Sequence, residues 1–156
     1  MDALSLSLLL KTSNIDATIS FYVETLGFTC AVRMPDDNPT LCILESGSVS
    51  LMFGTEADWD SPGSAPTMTG QIYFEVADVT SLYEKVRNQV EVLWGPEVYS
   101  YGRRECSVKD CNGYRLVFTE ETRILLLAMR GKNHCLLAES AAIIFEAVPR
   151  MLETKC

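Results

Sequence analysis

The sequence is short of the side chains that hold metals or contact nucleic acids. It has one histidine, His134, and 13 lysines and arginines against 21 aspartates and glutamates, which gives a formal charge of -8. A chain this acidic lacks the basic surface that DNA, RNA or anionic lipids require. We therefore expect no nucleic-acid partner, and we expect His134 to be an ordinary surface or interface residue rather than a metal ligand.

Long hydrophobic runs are also absent. The longest apolar stretches, residues 8–10 and 124–129, are far shorter than a transmembrane helix. The opening Met-Asp-Ala lacks the basic region of a secretory signal peptide. We therefore expect no membrane partner and a cytoplasmic location. A chain of this length forms one domain that buries roughly two thirds of the surface its unfolded form exposes, without the help of disulfides.

The six cysteines show neither CxxC spacing nor a spacing typical of His and Cys metal ligands. Such scattered thiols are typical of a reducing compartment, and we expect them to be buried or neutral. The patterns Ser-His-Asp, Cys-His, Walker A and GxGxxG, which indicate nucleophilic catalysis or phosphate binding, are missing as well. We expect no cofactor.

What the chain does contain is one order of elements that occurs twice. Asn14 or Ser13 is placed to cap a helix with apolar residues at helical spacing, and Gly27 is placed to end it. Asp78 opens a second helix in the same way. Each helix follows one predicted strand and precedes three; the strands are predicted at residues 4–10, 28–34, 41–44, 48–53, 71–76, 90–94, 103–109 and 114–119. The sequence therefore predicts a duplicated βαβββ unit.

Turn residues mark the boundaries within this repeat. Residues 110–113, Asp-Cys-Asn-Gly, predict a tight turn before the last strand. Residues 54–69 contain two prolines and two glycines, and they predict a linker between the modules. We assign the modules 1–53 and 70–121 to one α+β domain, residues 1–121, and residues 122–156 to a C-terminal helical extension. That extension is rich in Ala, Leu and Ile, so we expect it to dock on its own chain or at a dimer interface.

Two stretches of the sequence carry a family resemblance. The first includes Asn14, Ser20-Phe-Tyr22 and Leu26-Gly-Phe28, and the second runs from Tyr101 to Phe118 with the turn Asp-Cys-Asn-Gly. Together with Phe74-Glu-Val-Ala-Asp78 between them, they resemble the glyoxalase / bleomycin-resistance / extradiol-dioxygenase superfamily over residues 4–121. The resemblance implies two βαβββ modules whose strands form an open curved barrel, with helices outside and a concave ligand cavity inside. It also implies a homodimer.

The superfamily divides into metal-dependent enzymes and metal-free binding proteins, and the resemblance assigns the metal ligands to four strand positions. These positions hold Ser7, Met52, Gln71 and Val117 in this sequence. A catalytic divalent ion is held mainly by imidazole and carboxylate groups. The four side chains do not provide such a set, and neither do their neighbours along the chain. We therefore predict no metal site.

Strand alternation predicts which side chains face the cavity instead. In residues 71–76, for example, Ile72 and Phe74 are expected to pack on the helix and Tyr73 and Glu75 to face the concave side. Aromatic residues near the entrance and arginines on the last strands complete a mixed lining that suits a small molecule. The predicted ligand-binding residues are Ser7, Leu9, Met52, Gln71, Tyr73, Glu75, Trp94, Tyr101, Arg103, Arg115 and Val117.

The predicted function is small-molecule binding without a metal, for example the sequestration of a drug or a metabolite. The alternative is a lyase, isomerase or dioxygenase of the same superfamily that acts on a small oxygenated substrate. For that alternative the only catalytic candidates are Tyr73 and Glu75, which equally suit ligand orientation or an ion pair with Lys11 or Arg103. The predicted lining carries both charge signs, so the sequence leaves a cationic ligand and a carboxylate ligand open. Trp59 in the linker is a further candidate for covering the cavity.

Overall fold

The structure is a computed structural model, and it describes residues 6–55 and 65–122. It contains two four-stranded sheets that are not closed into a barrel. The predicted α+β architecture of two βαβββ modules in an open, curved arrangement is confirmed. Apart from Thr122, the predicted C-terminal extension lies outside the described residues, as do Trp59 and His134.

The first module has a capped helix between β1 and β2, the two edge strands of its sheet. Asn14 Oδ1 accepts a hydrogen bond from Ala17 N at 2.9 Å, as expected for an N-cap. Gly27 adopts φ of +79° after the helical region, a conformation that glycine tolerates without strain. The sheet order is β1-β4-β3-β2, with β1 parallel to β4. The elements are β1 Leu8–Lys11, α1 Ile15–Ser20, a π-helical segment Phe21–Thr25, β2 Thr29–Met34, β3 Leu41–Ser46 and β4 Val49–Gly54.

The second module repeats this arrangement. Asp78 caps its helix by accepting from Ser81 N at 2.9 Å, and the sheet order is β5-β8-β7-β6. Ile72 pairs with Leu116 where Leu8 pairs with Leu51 in the first module, so the internal repeat is visible in the strand register. The elements are β5 Ile72–Glu75, α2 Val79–Val86, β6 Glu91–Val98, β7 Arg103–Lys109 and β8 Arg115–Glu121. Neither helix of the described residues is long and apolar enough to span a membrane.

Strand β6 is longer than the sequence predicts. The prediction ends it at residue 94 because Gly95 and Pro96 usually interrupt strands, yet it continues to Val98. Two register shifts against β7, on either side of Trp94, accommodate these residues. β6 is also an edge strand, where a proline removes no hydrogen bond that the sheet needs.

One hydrophobic core lies between the sheets and their helices and joins the modules. Phe53 of the first sheet and Phe74 of the second belong to it, and the rings of Phe28 and Phe74 meet edge to face with centroids 6.0 Å apart. Cys42 and Cys106 are fully buried in the same core. Burial raises the pKa of both thiols to about 11, so they are neutral at physiological pH.

Polar contacts also join the modules, at the tight turn before β8. The Tyr22 hydroxyl donates to Asp110 Oδ2 at 2.9 Å across 88 residues of sequence. The Tyr114 hydroxyl accepts from Lys11 N at 3.0 Å and donates to Lys11 O at 2.9 Å. The turn is therefore part of the contact between the modules, and it does more than connect β7 to β8.

Candidate functional site

The open face of the second sheet brings most of the predicted ligand-binding residues together. Strand pairing aligns Tyr73, Val117, Ser107 and Trp94 in one row across the sheet. The row beside it contains Glu75, Thr119, Glu105 and Glu97. Along β5, β7 and β8 the residues of both rows alternate with the core residues, so their side chains point away from α2. We call these two rows the open face; Tyr73 and Glu75 at its edge are exposed, whereas its central residues are buried, namely Val117, Ser107, Thr119 and Glu105.

We place Trp94 on the open face because the next residue, Gly95, faces α2. A Cβ placed on Gly95 would lie 3.5 Å from the Tyr83 hydroxyl oxygen of α2, so this position of β6 faces the helix. Trp94, the preceding residue, points to the other side, and its half-buried side chain also packs against the edge of the hydrophobic core. Its ring centroid lies 6.2 Å from that of Tyr99 in an edge-to-face contact.

Tyr99 and Tyr101 extend this contact, and we call Trp94, Tyr99 and Tyr101 the aromatic group. The two tyrosine rings are stacked, with centroids 5.2 Å apart and planes 10° from parallel. The turn between β6 and β7 holds them, because Tyr99 N donates to Arg103 O at 2.8 Å and Gly102 N to Tyr99 O at 2.9 Å. Partial desolvation raises the pKa of both hydroxyls, and the nearby carboxylates of Glu97 and Glu105 raise them further. Both tyrosines therefore stay protonated and can donate hydrogen bonds.

Acidic side chains lie beside the aromatic group. Glu105 is only 5% exposed, and Thr119 Oγ1 donates to its Oε1 at 3.3 Å. Glu97 accepts from the Tyr99 hydroxyl at 3.3 Å. Tyr101, in the turn before β7, is close enough to Glu105 for a side-chain hydrogen bond.

Arg103 is held by two carboxylates on the same side of the sheet. Its Nη1 lies 3.0 Å from Glu75 Oε1, and its Nη2 lies 3.6 Å from Glu121 Oε1. The hydrogen bond to Glu75 is the main reason that the pKa of Arg103 is raised. Of the roles that the sequence left open for Glu75, the structure shows the ion pair with Arg103. Tyr73, the other catalytic candidate, is 56% exposed.

A pocket of about 360 Å³ lies at the end of the open face, between the β7–β8 hairpin and the chain that enters β5. Gln71 and Arg115, both predicted ligand-binding residues, contribute to its lining. Lys109 lines it as well, although it was not among the predicted residues. Lys109 could have been predicted from the sequence, because the alternation that places Glu105 and Ser107 on the open face extends to Lys109.

Of the remaining predicted residues, three lie on or beside the first sheet, and Val117 lies at the centre of the open face. Leu9 is 50% exposed and pairs in register with the half-buried Met52, and Ser7 is exposed before β1. Val117 is fully buried at the centre of the second sheet.

A second pocket, of about 450 Å³, lies beside the start of α2 and is lined by Asp78, Arg104 and Glu120 among others. Glu120 Oε2 accepts from Val79 N at 2.7 Å, and its other oxygen pairs with Arg104. Asp78 caps α2, as described above. These polar groups have structural partners, so we do not assign this pocket to the functional site.

The positions that the family resemblance assigns to metal ligands do not fit a metal ion. Ser7, Met52, Gln71 and Val117 offer a hydroxyl, a thioether, an amide and an isopropyl group, whereas a divalent ion is usually held by imidazole, carboxylate or thiolate. Within residues 6–55 and 65–122, no cluster of three or more His, Cys, Asp and Glu side chains is arranged to hold one.

Comparison with known proteins places this architecture in one family. The model of the Glyoxalase/Bleomycin resistance protein/Dioxygenase superfamily matches residues 6–118. No functionally curated protein matches the chain.

Solved structures show the same fold at low sequence identity. A superfamily member from Sphaerobacter thermophilus is 22% identical, with a TM-score of 0.64 over 77% of this chain and 98% of that one. A glyoxalase/bleomycin resistance protein/dioxygenase from Nocardioides is 20% identical, with a TM-score of 0.62 over 80% of this chain and 86% of that one. TioX from Micromonospora is 18% identical, with a TM-score of 0.61 over 75% and 95%. At these identities the similarity shows a shared fold and does not indicate a substrate.

Proposed function

The chain belongs to the Glyoxalase/Bleomycin resistance protein/Dioxygenase superfamily, and from that premise we propose that it binds a small molecule on the open face without a metal ion. The observation that carries the proposal is the aromatic group. Stacked and edge-on rings beside polar side chains are the usual composition of a site for a planar organic ligand. A protein of this kind sequesters a drug or a metabolite and does not convert it.

The absence of metal-binding side chains at the family's positions supports binding over metal-dependent lyase, isomerase or dioxygenase chemistry. Metal-free catalysis would require a poised acid or base. Of the two candidates, Glu75 is engaged by Arg103 at 3.0 Å. That ion pair engages the carboxylate that a metal-free reaction would need as its base. Stoichiometric zinc, nickel, manganese or iron in the purified protein, measured by elemental analysis, would overturn the metal-free part of the proposal.

Trp94→Ala is expected to weaken the binding of aromatic small molecules about tenfold, since it removes the ring that packs against Tyr99 and the area it buries. Isothermal titration calorimetry with phenylpropanol, phenylpropionate and benzyltrimethylammonium measures this for a neutral, an anionic and a cationic probe. Trp94→Phe keeps an aromatic ring and should retain most of the affinity. Equal affinities of the wild type and Trp94→Ala for every probe that binds, or no binding by the wild type at millimolar concentration, would count against the proposal.

We also propose that the protein is a homodimer, with the face of the first sheet that points away from α1 as part of the interface. Leu9 is 50% exposed and Met34 is 49% exposed on that sheet, and Leu41, Ile43 and Met52 are half-buried between them. A monomer that leaves such a surface in water has an apolar patch of the kind that usually marks an interface. Family members commonly dimerise, and a second copy of the chain is the occupant we assign to this face.

The double variant Leu9→Glu/Met34→Glu is expected to be a monomer, because it places four like charges at the two-fold interface. Light scattering should give twice the chain mass for the wild type and the single chain mass for the variant. Val23→Glu, on the exposed side of the π-helical segment, is the matched control and should remain a dimer. A wild-type protein that is monomeric at micromolar concentration would contradict the assignment.

A further inference from the structure

The pocket at the end of the open face has a donor set that favours a negatively charged ligand. Arg115 and Lys109 lie opposite each other on β8 and β7, and Gln71 directly precedes β5, where Ile72 pairs with Leu116. All three side chains line the same pocket. No acidic side chain is among the described residues that line it.

Lys109 and Arg115 are direct cross-strand neighbours, an arrangement that is unfavourable for like charges unless something compensates them. Lys109 has a partner, since its Nζ lies 2.6 Å from Glu91 Oε1. Arg115 is exposed and forms no ion pair with any carboxylate in the part of the chain that the structure describes. The Arg115 guanidinium is therefore the cation of this pocket that is available to a ligand.

The chain that enters β5 adds further donors to the same pocket. Thr67 and Thr69 line it with hydroxyl-bearing side chains. The backbone N–H groups of residues 67–69 make no backbone hydrogen bond within the described ranges. A guanidinium, an ammonium, an amide, hydroxyls and free N–H groups form a set in which donors predominate. Such a set is complementary to the oxygens of a carboxylate or a phosphate.

We propose that this pocket binds the oxyanion group of the ligand, a carboxylate or a phosphate, with Arg115 as its main contact. The proposal rests on the proposed function, because the rest of that ligand lies on the open face. Arg115 is two residues from Val117 on one face of β8, so the pocket lies about 7 Å along the strand from the row of Tyr73 and Trp94. An aryl-alkyl carboxylate or phosphate spans that distance. Arg103 does not compete for this role, since Glu75 and Glu121 already hold it.

The test compares probes that share a phenyl ring and a short chain and differ in charge. Phenylpropionate and phenylpropyl phosphate are titrated into the full-length, ¹⁵N-labelled protein at low salt, beside the neutral phenylpropanol. Both anions are expected to bind about tenfold more tightly than the alcohol, and the advantage should shrink as salt screens the exposed charge. The backbone amide signals of residues 67–69 and the Arg115 Nε–H signal should shift with the anions and stay in place with the alcohol. Which anion binds more tightly identifies the oxyanion.

Arg115→Gln should reduce the affinity for both anions to that of phenylpropanol and leave the affinity for the alcohol unchanged. Arg87→Gln removes the same charge directly after α2, where Arg87 pairs with Glu84, and should keep the preference for anions. The dispersion of the amide spectrum shows whether each variant is folded. If phenylpropanol binds the wild type as tightly as the anions do, the oxyanion pocket is wrong and the proposed function stands. If no probe binds, both are overturned.

Discussion

Asp110→Ala is expected to lower the free energy of unfolding by roughly 3–5 kcal/mol, because it leaves several buried donors without an acceptor. Asp110 Oδ1 accepts from the backbone N–H of Asn112 at 2.9 Å and of Tyr114 at 2.8 Å. Its Oδ2 accepts from the hydroxyl of Tyr22, a side chain with no exposed surface. One side chain thus holds the turn before β8 and joins that turn to the first module.

The burial of Asp110 determines how its contribution to stability depends on pH. Burial raises the pKa of this carboxyl, and its hydrogen bonds with Tyr22, Tyr114 and Asn112 only partly oppose the shift. The pKa of Tyr22 is also raised, first by burial and then by the charge of Asp110. Since the pKa of folded Asp110 lies above its unfolded value, its charged form is disfavoured by folding. The contribution of this group to stability therefore increases as the pH falls through its folded pKa.

Urea denaturation of the wild type and Asp110→Ala measures the difference in the free energy of unfolding. Asp110→Asn should be milder, at about 1–2 kcal/mol, because an amide oxygen still accepts from both backbone groups and the Tyr22 hydroxyl can accept from the amide nitrogen. Asp37→Ala removes the same charge from an exposed loop and should change stability by less than about 0.5 kcal/mol. A loss of less than about 1 kcal/mol for Asp110→Ala would show that the turn is held mainly by other contacts.

The repeat and the capped helices were predictable because local signals specify them. Asn14 and Asp78 each accept from a backbone N–H three residues later, and this depends on neighbouring residues alone. The alternation in β5 likewise placed Phe74 in the core and Tyr73 outside it. The helical pattern from residue 15 onward, however, could not show that α1 ends at Ser20 and a π-helical segment follows. Apolar residues every three or four positions are compatible with an α-helix and with a π-helix.

The candidate site was less predictable because it depends on contacts between elements. Strand alternation alone does not favour Arg115 over Arg103 as a free cation, since it places both side chains on the same face of the second sheet. Glu75 and Glu121 pair with Arg103 across the sheet, and only the strand register brings these residues together. The stack of Tyr99 and Tyr101 depends in the same way on the shape of the turn between β6 and β7. The alternation of side chains within one strand predicts neither the ion pairs of Arg103 nor the stack of the two tyrosines.

Phe74→Ala is expected to lower the free energy of unfolding by about 3–5 kcal/mol through the cavity it leaves and the ring contacts it removes. The side chain is 6% exposed, and its ring lies 5.5 Å from that of Phe118 in the same sheet and 6.0 Å from that of Phe28 in the other module. The loss should therefore weaken both the second sheet and the contact between modules. Urea denaturation gives the size of the effect.

Tyr73→Ala is the matched control, since it removes an aromatic ring from the next residue of the same strand. Tyr73 is 56% exposed on the open face, so its removal should change the free energy of unfolding by less than about 1 kcal/mol. The double variant Phe28→Ala/Phe74→Ala separates the two roles of Phe74. If the rings of Phe28 and Phe74 join the modules, the two losses are not additive and differ from their sum by at least about 0.5 kcal/mol. Equal losses for Tyr73→Ala and Phe74→Ala would contradict the assignment of the open face, because they would place both faces of β5 in the core.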